Sequence, residues 1–155
     1  MPRHTLLNVA SMDSRFPDDA VIAITSEIDA DSGGFDHFIS HLELVFLDTE
    51  EQDHPDSMQS DHAQQIVDFI NSLDTKVETL FVSCNAGVSR SSAIAAAIIR
   101  AQGLDDSEIW ANLDYSPNIH CYRMVLAAFG IDASDAEEKM RTNEQMRHNR
   151  LFGRW

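Results

Sequence analysis

Apolar residues along the chain fall into two patterns: short dense runs, and longer stripes spaced as on a helix. The runs LLNVASM (Leu6–Met12) and VIAITS (Val21–Ser26) are rich in aliphatic and β-branched residues and predict two short buried strands. A third, ELVFLD, is predicted to end at Asp48, and a fourth, VETLFVS, to end at Ser83. Between the second and third lies DADSGGFDHF, which Gly33 and Gly34 mark as a loop. The stretch TEEQDHPDSMQ, with Pro55 and several acids, predicts an exposed loop. Helical spacing begins at SDHAQQIVDFINSL, where Ala63, Ile66, Val67 and Ile70 share a face and Ser60 is a plausible cap. Further helices are predicted after Ser89, in DDSEIWANL, in NIHCYRMVLAAFG closed by Gly130, and from the cap Ser134 to Phe152. Strands alternating with helices give an α/β class with a mostly parallel central sheet flanked by helices.

Length and composition narrow the class. The chain has 155 residues, enough for a core without staples, and 43% of them are apolar. No apolar run approaches membrane-spanning length, and the first residues lack the apolar segment and cleavage site of a secretory signal. Cys84 and Cys121 are the only cysteines, which argues against a disulfide framework and for a reducing, cytoplasmic setting. Net charge is −15, a sign that disfavours nucleic acid and anionic membranes as partners and favours solubility. The acids are not evenly spread, because residues 133–155 carry four acids against five bases. Residues 1–132 are therefore read as the main domain and 133–155 as a helical extension that packs on it or on a partner.

The stretch LFVSCNAGVSRSSAIAAAII carries the chemistry. A strand that passes through a small-residue loop into a helix presents unpaired backbone N–H groups and a positive dipole end, which together bind anions. Asn85, Ala86, Gly87, Val88 and Ser89 are mostly small, so their backbone can curl into a phosphate-sized nest, with Gly87 free to take a positive φ. The same field favours the thiolate of Cys84 at the base of the nest. Arg90 can meet two phosphoryl oxygens with its planar fork. Ser91 is placed to hydrogen-bond the sulfur as it leaves. A thiolate beneath a phosphoryl group suits in-line attack and a cysteinyl-phosphate intermediate, which needs neither metal nor cofactor.

SCNAGVSRS resembles the signature loop of the cysteine-dependent protein tyrosine phosphatases, above all the dual-specificity branch: Cys, five residues, then Arg. Cys84, Ala86, Gly87, Ser89, Arg90 and Ser91 match that pattern. Ser83 departs from it, standing where the family has a His that fixes the loop and tunes the thiolate. The resemblance implies a phosphatase fold and a phosphorylated protein or peptide as substrate, with phosphotyrosine alone or together with phosphoserine and phosphothreonine. Ser83 keeps a second reading open, a phosphopeptide-binding pseudophosphatase. A third, arsenate reduction or sulfur transfer, would need a resolving thiol, and Cys121 is the only other one.

A leaving oxygen needs a proton, so a carboxylic acid should sit above the nest. In the resembling family it is an Asp some thirty residues before the cysteine. Asp48, Asp53 and Asp56 are the candidates, with Asp48 lying 36 residues and Asp53 31 residues before Cys84. Asp48 is preferred for its place at the strand end. VFLDTEE resembles a bacterial and phage-like group of these phosphatases, in which the strand-end Asp takes the role, and YSPNIHCYRMVLAAF resembles its Pro-Asn…Tyr-Arg segment. In that segment Asn118 is read as a helix cap, with bracing of the loop as a second role. Tyr122 and Arg123 are read as packing and surface residues. His37 and His41, four apart, lack a third ligand and are read as solvated. Cys121, beside His120, is read as a core thiol. RHNRLFGRW is read as the end of an amphipathic helix folding back on the domain.

Overall fold

The computed structural model describes residues 18–27 and 32–153; the strand expected at Leu6–Met12 lies outside them. Three strands form a parallel sheet in the order β2-β1-β3: β1 is Asp19–Thr25, β2 is Ser40–Val45 and β3 is Thr79–Ser83. Central β1 pairs Ile22 with Leu42 on one side and with Val82 on the other. Its sequence DAVIAIT is buried almost throughout, as a strand covered on both faces must be. Alternation then divides the side chains. Ile22 and Ile24 join the main core, whereas Val21 and Ala23 pack with Phe35, Phe38 and Phe81 on the opposite face.

Five helices complete the described residues: α1 (Ser60–Ser72), α2 (Arg90–Ala101), α3 (Ser107–Ala111), α4 (Ile119–Ala128) and α5 (Ala136–Phe152). Ala93, Ala96 and Ala97 of α2 are fully buried, and their small size lets the helix lie close against its neighbours. Helix α2 contacts β3 and packs most extensively on α4, which contributes Cys121, Tyr122, Val125 and Leu126 to the same core. Among the described residues no helix is long and apolar enough to cross a membrane.

Several element ends differ from expectation. The glycine loop contains a 3-10 turn at Ser32–Phe35. Gln59, not Ser60, caps α1, because its side chain and His62 form a reciprocal capping box. Helix α5 is capped at Asp135, while the Ser134 hydroxyl donates to Asp132. Strand β2 stops at Val45: Phe46 N still donates to Thr25 O (3.0 Å), but Leu47 N turns away to Asp56 O (2.7 Å). Asp48 therefore lies on a loop three residues past the strand, not on its rim.

Helix α5 folds back on α3 and α4, but it is not amphipathic: Ala136 and Asn143 are its only buried residues, and Leu151 and Phe152 are 69% exposed. It docks through polar bonds instead. Asn143 Nδ2 donates to the carbonyl of Trp110 (2.8 Å), and Arg150 pairs with Asp114 (3.0 Å). Lys139 pairs with buried Asp106, which also accepts from Tyr122 Oη (2.7 Å) and Trp110 Nε1 (3.0 Å). Burial pushes the Asp106 carboxyl up, but the bonds from Lys139, Tyr122 and Trp110 outweigh it and hold the group below the usual aspartate value. A depressed folded value means that this contribution is complete above the unfolded aspartate value and fades as pH falls through the folded one. Asp106→Asn is accordingly expected to cost about 2 kcal/mol in urea unfolding at neutral pH, a penalty that shrinks below about pH 4. A penalty independent of pH would contradict the ion-pair account.

Candidate active site

The site forms where β3 ends and α2 begins. Cys84 follows the last strand residue and is 1% exposed, with the loop 85–89 wrapped over it. Gly87 takes φ +68°, a conformation open to glycine but costly for other residues, and this turns the loop back over the sulfur. The backbone N–H groups of Gly87 and Ser91 both point at Cys84, and its Sγ lies 3.2 Å from Ser91 Oγ. Burial alone would raise the thiol pKa. The bonds from the Ser91 side chain and from the Ser91 and Gly87 backbones, with the charge of Arg90, reverse it and lower the thiol. Cys121 shows the opposite balance: desolvation dominates and raises its thiol, as suits a core residue.

Arg90 opens α2 and is 3% exposed. One terminal nitrogen donates to Phe46 O (2.6 Å) and the other to Asn85 Oδ1 (3.0 Å), and the guanidinium stacks over the Phe46 ring at 6.0 Å. Its Nε has no partner among the described residues. A buried cation with a spare donor beside converging backbone N–H groups is chemically equipped to meet anionic oxygens. Ser83 is also fully buried, and its hydroxyl has no partner among the described residues.

Of the three candidate acids, the structure joins Asp48 to the loop. Asp48 Oδ1 accepts from Ser89 Oγ (2.9 Å) and from Asn118 Nδ2 (2.8 Å). Asp53 and Asp56 are exposed on the same loop, and neither carboxylate bonds to residues 84–91 among the described residues. The segment before α4 closes the far side. Ser116 N donates to Val88 O (3.1 Å) and Asn118 N to Ser89 O (3.3 Å). Asn118 also caps α4 as expected, its Oδ1 accepting from Cys121 N (3.0 Å). Phe46 as the anchor of Arg90, the side-chain role of Asn85 and the bond from Asn118 to Asp48 are absent from the sequence reading. Only the Pro-Asn block hinted at the last. His37 and His41 are both exposed.

No family model and no curated protein matches the sequence. By structure the chain is similar to the crystal structure of DUSP15, a dual-specificity phosphatase. The TM-score is 0.51 at 18% identity, over 81% of this chain and 77% of that one. At that identity the likeness is one of fold: the chain carries the α/β fold seen in this dual-specificity phosphatase.

Proposed function

We propose that the protein hydrolyses phosphomonoesters of a protein or peptide through a cysteinyl-phosphate, as a tyrosine or dual-specificity phosphatase does. The observation that carries this reading is the placement of Cys84 under two backbone N–H groups and Ser91, beside the buried guanidinium of Arg90, surroundings that lower its thiol. The backbone of residues 85–90 and Arg90 bind the phosphoryl oxygens. The Cys84 thiolate attacks phosphorus in line, the bond from phosphorus to the ester oxygen breaks, and Asp48 gives that oxygen its proton. Water then attacks the phosphocysteine, Asp48 takes the proton, and the thiolate departs toward the Ser91 hydroxyl. Substrates are phosphotyrosine peptides, alone or together with phosphoserine and phosphothreonine peptides. The orphaned Ser83 hydroxyl, in the place of the family's His, favours the second reading, a module that binds phosphopeptides without turnover.

Hydrolysis of p-nitrophenyl phosphate between about pH 5 and 8 separates the two. Turnover must fall on the acid side as Cys84 is protonated, with that limb below the ordinary thiol value of ~8.5. Cys84→Ser is expected to abolish turnover, and Asp48→Asn to lower kcat roughly 100-fold. A silent wild type that still binds vanadate or a phosphotyrosine peptide would establish the binding module instead. Iodoacetate is expected to modify Cys84 at neutral pH and to leave Cys121 intact, with inorganic phosphate protecting Cys84. Equal labelling of both thiols would contradict the proposed thiolate.

A further inference from the structure

Asn118 is 1% exposed, and every polar atom of its side chain is bonded in a way that joins three parts of the site. Its Oδ1 caps α4 through Cys121 N (3.0 Å). Its Nδ2 donates both to Asp48 Oδ1 (2.8 Å) and to the Thr49 carbonyl (3.2 Å), while its backbone N–H holds Ser89 O (3.3 Å). Asp48 itself is exposed and lies beyond the end of β2, so the strand does not fix its carboxyl. Two donors do: Asn118 Nδ2, and Ser89 Oγ at 2.9 Å, both on the same oxygen, Oδ1. Oδ2 accepts no hydrogen bond among the described residues, and a doubly occupied Oδ1 is poorly placed to carry a proton as well.

We infer that Asn118 is the positioning residue of the general acid: by clamping Oδ1 of Asp48 it assigns Oδ2 as the oxygen that gives up and regains the proton. The inference rests on the phosphatase reading. As the Cys84 sulfur bonds to phosphorus and the ester bond breaks, the Oδ2 proton passes to the departing oxygen. In the second step Oδ2 recovers a proton from the attacking water as the bond from sulfur to phosphorus breaks. Because Asn118 is anchored through its cap on α4 and through Ser89, the carboxyl is held against the loop that binds the phosphoryl group.

The role separates from plain capping by its dependence on the leaving group. Asn118→Ser keeps a good cap oxygen but removes the amide donor. For phenyl phosphate, whose departing oxygen needs a proton, Asn118→Ser should lower kcat roughly 10- to 100-fold. For dinitrophenyl phosphate, which leaves as a stable anion, the loss should stay under about threefold, with KM for both esters changed less than about twofold. Asp48→Asn must show the same discrimination. Asn118→Asp preserves shape and cap but sets a second carboxylate against Asp48. That variant also lacks the amide donor, so it should show the same discrimination between the two esters as Asn118→Ser. Equal losses on both esters in Asn118→Ser, or no loss on either, while Asp48→Asn discriminates, would overturn the positioning role and leave the phosphatase reading intact. If Asp48→Asn fails to discriminate, the acid is elsewhere and the inference falls with that assignment. A wild type that turns over neither ester overturns the phosphatase reading and this inference together.

Discussion

The site is organised around a buried positive charge. Arg90 is almost fully removed from water, and among the described residues no carboxylate forms an ion pair with it. Burying a guanidinium costs several kcal/mol unless donors are satisfied and charge is balanced nearby. A carbonyl, an amide oxygen and an aromatic face satisfy part of the group, and the charge of Arg90 in turn helps to lower the Cys84 thiol. The Nε donor is left over. In the proposed reaction a phosphoryl dianion would meet that donor and balance the charge, so the energetic cost of burying Arg90 would become affinity for the ligand.

That charge is set in place by backbone geometry. β3 delivers Cys84 to the end of the sheet, Gly87 bends the loop, and α2 starts at Arg90, so thiol and guanidinium sit at fixed ends of one turn. The alanine face of α2 brings the helix close to β3 and α4. Helix α4 in turn presents Asn118 at its cap, where it meets both the signature loop and the Asp48 loop. Two loops from distant parts of the chain are thereby locked to one helix terminus.

Much of this was legible because it is local. A strand, a small-residue loop and a helix in sequence dictate a tight loop over the strand end, and the positions of Cys84, Arg90 and Ser91 follow from that order. The parallel sheet was legible from the alternation of apolar runs and helical stripes. What escaped the sequence depends on contacts across many residues. The Phe46 carbonyl reaches Arg90 from just past the end of β2, 44 positions away, and backbone carbonyls leave no mark in a side-chain pattern. The strand-end placement of Asp48 failed because apolar Phe46 and Leu47 read as strand, although Leu47 pairs with the loop at Asp56. The docking of α5 was misread for a similar reason: a helix with few apolar residues can still be fixed by ion pairs such as Lys139 with Asp106, whose partners no periodicity reveals.

The central claim is covalent chemistry at Cys84, and trapping the intermediate tests it most directly. The protein would be mixed with a phosphotyrosine peptide, quenched in acid within the first turnover, and digested for mass spectrometry. The account predicts phosphate on Cys84 in the wild type and none in Cys84→Ser. Product formed with Cys84 unmodified at every quench time, or phosphate carried on another residue, would contradict it.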